Sequence, residues 1–583
     1  MKILLTSLNT KYIHSNIAIR YLKDTVYPKY KCDTIDFTIN QNSDEIIFQI
    51  IRGAYDIVGF STYIWNVEMT LEICEKLKLI NPNLIIFMGG PEVSFNSKEI
   101  IKNHPYVDYI MSGEGEVSFL ELLDYVHGER KELPAGVVTL SNEEVVGNDI
   151  YQVVDLENSK IEYTLDYIKD KKIVYYETSR GCPYNCEFCL SSSTGRVRFY
   201  PLERCLKDIK LFLDENVPLV KFIDRTFNFN KERSLTILKY IIDNDNNFTT
   251  FHLEIHPQLI DEEYLNLFRT ARKDLFQFEV GVQSTNEDTC KAIKRVGDFE
   301  TITRVCKEIM SFKNIHLHLD LIAGLPFEDL KSLRKSFNDI LSIGPDKLQL
   351  GFLKVLKGSP IYYKAEQYGI VYDKKSPFEV ISTKWISYME LQEVKKIEEM
   401  LDKYYNEGYF MNTINYLFEN HYSDYYEFFL ELGNYWDEKD YLFKNHSRDS
   451  LYKILKEFLI EREFKEIDLL NELLIHDYVL TNGKVPWFLN PKKIESAKEH
   501  DLLRDGYVLE KISEHDVPAK KLIKNYIFLR FDFQILDDLK KEELLLIYRI
   551  EDRKYYDITE SWRKHGYFKR FYLYSEKSLK KHI

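Results

Sequence analysis

Short apolar runs alternate with amphipathic stretches through the first 130 residues. Lys2–Ser7, Cys32–Ile39, Asp56–Tyr63, Asn83–Glu92 and Val107–Glu116 read as strands, and residues 15–27 and 66–79 carry the threefold and fourfold apolar spacing of helices. Apolar strands separated by amphipathic helices predict a parallel, doubly wound, Rossmann-like sheet buried on both faces. The ligand crevice of such a sheet lies at the carboxyl ends of its strands. Small and polar residues collect there: Ser61, Thr62, Gly89, Gly90, Gly113, Glu114 and Gly115. Without large side chains, a flat ligand can approach the backbone closely.

Residues 131–170 are polar and turn-rich and read as a linker with a small hairpin. From 171 to 365 the period changes again. A strand at Ile173–Gly181 is followed by helices at 202–214, 231–243, 261–270, 299–311 and 329–341, each leading into a further strand. Six strand–helix units with crossover spacing predict a partial (β/α)6 barrel, with its chemistry at the carboxyl ends of the strands. Beyond 366, apolar spacing at 387–407, 412–432 and 449–473 predicts a mostly helical domain to 583, serving as a cap or in substrate recognition.

Composition narrows the class. The chain has 583 residues, 44% hydrophobic and 30% charged, as expected of a globular protein with sizeable cores. A formal net charge of −14 argues against a nucleic-acid-binding main surface. Locally, residues 553–583 are basic, with nine Lys/Arg against three Asp/Glu. No apolar run reaches the length of a membrane span, and the short apolar run after Met1 lacks a signal-peptide core and cleavage site.

The densest chemistry lies in Glu177–Ser193, where Cys182, Cys186 and Cys189 form C-x-x-x-C-x-x-C with Phe188 before the third cysteine. Three thiolates at this spacing can hold three irons of a 4Fe-4S cluster and leave the fourth open, whereas relay clusters usually close with a fourth cysteine. Structural zinc prefers two cysteine pairs or a pair with nearby histidines, and the next histidine downstream is His252. A disulfide framework does not suit a large chain with few cysteines. Cys205, Cys290 and Cys306 fall in helical contexts and read as inert core residues.

The motif Cys182-x-x-x-Cys186-x-Phe188-Cys189 resembles the signature of radical S-adenosylmethionine (SAM) enzymes. The resemblance implies that the open iron chelates SAM and that the reduced cluster cleaves it to a 5'-deoxyadenosyl radical. Glu254, Gln283, Ser284 and Arg295 match a pattern in the coproporphyrinogen-oxidase-like subgroup, where the corresponding Glu, Gln and Arg contact SAM, and Gly324 matches a turn that approaches the adenine. Asp224, Arg225, Asn228 and Asn230 follow the second barrel strand, where they could line the cavity, and His316, His318 and Asp320 alternate onto one face.

The N-terminal strand ends, Gly89-Gly90-Pro91-Glu92 and Val107–Glu116, resemble the cobalamin-binding domain found ahead of the radical core in one branch of that superfamily. The D-x-H-x-x-G corrin loop is absent around His14, which puts axial ligation by this histidine in doubt. Methylthiotransferases carry a second cluster on N-terminal cysteines; here only Cys32 and Cys74 precede the motif. The segment past 366 has no cysteine to be methylated, and with the Asn9–Asn16 segment it resembles a poorly characterised subfamily of cobalamin-binding radical SAM proteins.

The resemblance therefore implies a cytoplasmic, oxygen-sensitive enzyme using a 4Fe-4S cluster, SAM and cobalamin. It would methylate an unactivated carbon of a small molecule or peptide through methylcobalamin, with electrons from a flavodoxin or ferredoxin and no nucleic-acid or membrane partner. Two alternatives remain at this point. One is a cobalamin-dependent cyclisation, oxidation or rearrangement without methyl transfer; the other is a non-catalytic iron–sulfur binding or regulatory protein.

Overall fold

The computed structural model describes residues 1–566 apart from 151, 160, 194–195 and 514–517. It divides into two compact units, Met1–Gln392 and Glu393–Ile583.

The first unit opens with a seven-stranded sheet: β1 (Ile3–Asn9), β2 (Cys32–Thr38), β3 (Ile57–Ser61), β4 (Ile85–Gly89), β5 (Tyr109–Met111), β6 (Val137–Ser141) and β7 (Glu144–Gly147), in the order β2-β1-β3-β4-β5-β6-β7. β1 to β5 are parallel, and the chain direction of the sheet order reverses between β1 and β3. Alternation along β1 sends Leu4 and Leu8 into one core and Ile3 and Leu5 into another, so helices cover both faces. The hairpin expected as a linker is part of this sheet: β6 pairs antiparallel with β5, extending the first domain past residue 130. The reason is the pairing itself, which buries Val137 and Val138 fully against a strand some way back in the chain.

The barrel sheet contains β8 (Ile173–Tyr176), then, after a two-residue ribbon of β9 (Ser179–Arg180) and β10 (Arg198–Phe199), β11 (Leu219–Phe222), β12 (Thr250–Glu254), β13 (Phe276–Gln283), β14 (His316–Ala323) and β15 (Lys347–Phe352). Its six strands run in chain order, all parallel. Their helices begin at capping side chains: Asn230 accepts from Arg233 N at 3.1 Å, Asp298 from Thr301 N at 2.7 Å and Asp329 from Ser332 N at 2.8 Å. The strands alternate in burial. Leu317, Leu319 and Leu321 pack outward under the helices, while His316, His318 and Asp320 face inward. Barrel interiors are usually filled with branched apolar side chains; this one is lined instead by Tyr175, Lys221, His252, Glu279 and His318.

The first unit extends past 365. Leu353 N donates to Ala323 O and Val380 N to Leu353 O, both at 2.9 Å, so the segment carrying β16 (Val371–Tyr372) and β17 (Val380–Ser382) closes on the last barrel strand.

The second unit is mostly helical, with helices at 411–420, 425–438, 448–461 and 467–482. Two long apolar stretches each resolve into two helices, because Asp424 caps one break and a turn at Arg462–Lys465 makes the other. A three-stranded antiparallel sheet, β18 (Tyr526–Phe531), β19 (Leu544–Arg549) and β20 (Tyr555–Asp557), adds to the helical expectation. Of the basic C-terminal segment, residues 567–583 lie outside the described residues. No described helix is long and apolar enough to cross a membrane.

Candidate cluster and cofactor site

Gly181 opens the cysteine loop at φ +95°, where a Cβ would lie 2.7 Å from Arg196 O. Cys182 Sγ lies 3.6 Å from Thr226 Oγ1, past the end of β11. Cys186 Sγ lies 3.9 Å from both Lys294 O and Arg295 Nη1, past the end of β13. Ser191 N donates to Cys189 Sγ at 3.4 Å. Burial raises the Cys186 thiol, Arg295 opposes the shift, and the charges of Cys189 and Cys182 add to it, so the three sulfurs sense one another. No group of His, Cys, Asp or Glu among the described residues is gathered tightly enough to hold a single metal ion. Burial holds the other three barrel thiols protonated: it raises Cys205 against the opposing charge of Arg233, and pushes Cys290 up to about 11 and Cys306 to about 12.

Around this loop the barrel mouth presents unused polar atoms. Gln283 sits at φ +75°, at a register shift between β13 and β14, and its buried Oε1 lacks a hydrogen-bond partner. Such a backbone costs roughly 1–3 kcal/mol in a non-glycine residue. Gly281 makes room for it, since a Cβ there would lie 2.3 Å from Gln283 Nε2. Arg295 donates to Gly281 O. Asp320, paired in register with Gly281, has a buried Oδ1 without a partner. Burial, then Glu279 and Glu254, raise its carboxyl well above the ordinary range. Glu254 faces Arg225 Nη1 at 3.6 Å; burial raises its carboxyl and Arg225 opposes. Glu254, Gln283 and Arg295 are thus brought to one mouth, and Asp320 joins them. These unpaired acceptors fit a ligand carrying an ammonium and hydroxyls, because leaving them dry would cost about 1–3 kcal/mol each.

Ser284 is occupied elsewhere. Its Oγ donates to Glu328 Oε1 at 2.7 Å, and Ser336 donates to the same oxygen at 3.0 Å. Burial lifts Glu328 to about 7. Gly324 has φ +85°, with Val380 side-chain atoms 2.7 Å from an added Cβ. Of the four residues after the second barrel strand, only Arg225 faces a mouth residue. Asp224 accepts from Thr178 N at 2.9 Å and Ser179 Oγ at 2.5 Å, Asn228 pairs with the His256 backbone, and Asn230 is a helix cap. Their polarity serves the turn, a demand that sequence cannot separate from ligand binding.

Below the mouth, His252 Nε2 lies 2.8 Å from Glu279 Oε2, with Lys221 Nζ at 3.6 Å. The His252 hydrogen bond, against burial, holds Glu279 at about 2. His318 Nε2 lies 2.8 Å from His316 Nδ1; burial and His316 lower His318 to about 3.

At the crevice of the first sheet, Thr62 N and Oγ1 both donate to Gly89 O, at 2.7 and 2.5 Å. Gly90 has φ +112°, and a Cβ there would lie 2.4 Å from Thr62 O. Ser61 Oγ accepts from Asn16 Nδ2 at 3.2 Å. Gly113 N donates to Ser94 Oγ at 3.1 Å, and a Cβ on Gly115 would lie 3.1 Å from Leu22. His14 Nδ1 is taken by Tyr175 Oη at 2.7 Å. Just past β3, the Tyr63 and Trp65 rings stack with centroids 4.5 Å apart, a flat aromatic edge signalled only by the short Tyr-x-Trp spacing.

Glu114 does not stand open to the crevice. It accepts from Arg198, from Val154 N at 2.9 Å, and pairs with Arg180 Nη1 at 3.4 Å. Burial raises its carboxyl, but Arg198 and Arg180 hold it below the ordinary range. Arg180 also meets Glu116 at 2.5 Å and Glu177 at 2.9 Å. This network was hidden in the sequence, since its members lie up to 84 positions apart, from Glu114 to Arg198.

Comparison with known proteins matches three stretches of the chain. Residues 3–123 match the B12 binding domain, 176–346 the radical SAM superfamily, and 366–548 a protein family of unknown function, DUF4080. The cobalamin-dependent radical SAM methyltransferase TokK of Streptomyces tokunonensis is 27% identical over 338 residues, 54% of this chain and 49% of that protein. The 2-(S-pantetheinyl)-carbapenam-3-carboxylate methyltransferase of Streptantibioticus cattleyicolor is 25% identical over 335 residues, 52% of this chain and 48% of that protein. The chain thus spans about half the length of the curated relatives it matches. Among solved structures, the cobalamin-dependent SAM radical enzyme OxsB with aqua-cobalamin and SAM bound is similar in fold, with a TM-score of 0.58 at 16% identity, covering 82% of this chain and 78% of that one.

Proposed function

We propose that this radical SAM protein, whose B12-binding domain precedes its radical core, is a cobalamin-dependent enzyme that methylates an unactivated carbon of a small molecule or peptide. When bound, the cluster supplies the electron that cleaves SAM, and cobalamin carries the methyl group.

The chain's own residues have distinct tasks in this reading. Cys182, Cys186 and Cys189 hold the cluster. Glu254 and Asp320 receive the SAM ammonium or ribose hydroxyls, Gln283 Oε1 accepts from the ribose, and Arg295 faces the carboxylate. The Gly324 turn approaches the adenine. Gly89, Gly90, Gly113 and Gly115 leave the first sheet's crevice open to the corrin edge, with Ser61 and Thr62 lining its floor. Ser284 and Glu114 act as supports, the first beneath Gln283 and the second in the Arg180 network. The polar floor of His252, Glu279 and His318 keeps water-like partners available to a substrate's polar groups. A flavodoxin or ferredoxin would deliver electrons in the cytoplasm, and the acidic net charge favours a substrate other than nucleic acid.

The observation that carries the reading is the joining of the two sites within one compact unit. Arg180, two residues before Cys182, is held by Glu114 and Glu116 of the glycine-rich turn that ends β5. Methyl transfer is supported by the similarity to TokK, named a cobalamin-dependent radical SAM methyltransferase, and to the carbapenam-carboxylate methyltransferase. The test is a reaction of the anaerobically reconstituted protein with SAM, hydroxocobalamin, reductant and candidate substrates. A product heavier by one methyl group, with S-adenosylhomocysteine formed beside 5'-deoxyadenosine, supports methylation. Product with deoxyadenosine alone transfers the assignment to cyclisation, oxidation or rearrangement.

A further inference from the structure

Glu187 lies inside the cysteine motif yet touches none of the groups assigned above. Its side chain is 1% exposed, and it meets Lys294 Nζ at 2.7 Å and Lys364 Nζ at 2.9 Å. Its backbone is engaged as well. Glu187 N donates to Ile293 O at 2.9 Å, and Ile361 N donates to Glu187 O at 2.8 Å. One residue of the loop therefore grips two separate segments by both backbone and side chain: the 293–295 turn and the helix Pro360–Lys364.

The grip falls where the loop and the turn meet. Lys294 holds a left-handed backbone, φ +53°, between Ile293, bonded to Glu187, and Arg295, beside Cys186. A non-glycine residue keeps that conformation only when its surroundings impose it. A buried carboxylate beside three thiolates is also electrostatically unfavourable without compensation, and two ammonium groups provide it. Neither lysine is buried: their side chains are 61% and 37% exposed, so the ion pairs bring the lysines to the carboxylate.

The geometry points to Glu187 as a positioning residue that, through Lys294 and Lys364, fixes Cys186 opposite Arg295, so that cluster retention and SAM affinity depend on a carboxylate that contacts neither group. This rests on the proposed roles of the cysteines and Arg295.

Glu187→Gln and Lys364→Met, each reconstituted anaerobically as the full chain, test it. The readouts are iron content, the electron paramagnetic resonance spectrum of the reduced cluster with and without SAM, and the SAM dissociation constant. Circular dichroism reports folding. A SAM-induced spectral change in the wild type establishes the underlying reading, and its absence there would reject that reading rather than the clamp. Given that change, Glu187→Gln is expected to raise the SAM dissociation constant on the order of tenfold and to lose iron faster, and Lys364→Met to shift both in the same direction by less. If Glu187→Gln does not fold, the Lys364→Met shift alone supports the clamp. Wild-type values in folded Glu187→Gln, or in Lys364→Met where the first variant is unfolded, overturn it.

Discussion

Arg180 on β9 donates to Glu116 at the start of the helix Gly115–Val126 at 2.5 Å, joining the strand that delivers the cysteine loop to the turn that ends the cobalamin-like crevice. Both side chains are nearly buried, 14% and 7% exposed, and Glu177 and Glu114 complete the cluster. Among the described residues, Arg180 alone pairs with Glu116 and Glu177 and shares Glu114 with Arg198, a task its planar fork of donors suits.

Removing the Arg180 guanidinium leaves Glu116 and Glu177 buried without a cationic partner among the described residues. Arg180→Met is expected to destabilise the first unit by about 3–5 kcal/mol, and Arg180→Lys by less. Denaturant unfolding followed by far-ultraviolet circular dichroism measures both. Equal stability of wild type and Arg180→Met would show that the network is dispensable.

Gly90→Ala places a Cβ 2.4 Å from Thr62 O on a backbone with φ +112°. A carbonyl cannot swing aside as a flexible side chain can, so β3 and β4 must part at the crevice. The variant should lose the corrin absorption that the wild type, after incubation with hydroxocobalamin, keeps through desalting. Retention at the wild-type level would place the ligand elsewhere.

Glu254→Gln removes the charge expected to meet the SAM ammonium. A charge-assisted hydrogen bond is worth about 1.5–3 kcal/mol, so the SAM dissociation constant should rise by roughly tenfold or more while iron content stays at the wild-type level. Unchanged affinity would leave Glu254 as the partner of Arg225 alone.

The second unit offers a pH test. His476 is buried and hydrogen-bonded to Tyr548 at 2.6 Å, and burial lowers it to about 4. The unfolded chain, with an ordinary histidine, takes up a proton between about 6.5 and 4 that the folded chain refuses. Its contribution to stability is therefore present above about 6.5 and is lost as pH falls toward 4. Between pH 7.5 and 5.5 the wild type should lose about 1.4 kcal/mol relative to His476→Gln. Parallel stability curves for the two proteins would reject the assignment. The comparison with the variant is needed because neighbouring Asp477, raised by burial to about 6, acts in the opposite direction.

Much of this was legible in the sequence where one local rule governs. The helices at 202–214, 231–243 and 299–311 match their expected spans because periodicity and capping residues agree, and the six barrel strands follow from the same repeat. The cysteine trio was readable because cluster ligands sit on one short loop. Legibility failed where distant segments decide the outcome. β6 and β7 read as a linker because only pairing with β5 buries them. Glu114 read as a ligand contact because Arg198 lies 84 residues away. Asp224, Asn228 and Asn230 look like site residues, but turn geometry consumes them, and Glu187 stood in plain view inside the motif without any local sign of Lys294 or Lys364.

The most direct measurement of the central claim is 5'-deoxyadenosine formation by the anaerobically reconstituted chain given SAM and dithionite, beside a Cys182→Ala, Cys186→Ala, Cys189→Ala triple variant. The account predicts repeated turnover to deoxyadenosine by the wild type, with about four irons per chain, and neither iron nor deoxyadenosine in the variant. A wild-type chain that holds its full cluster and yields no deoxyadenosine, or a triple variant that retains its iron, would contradict it.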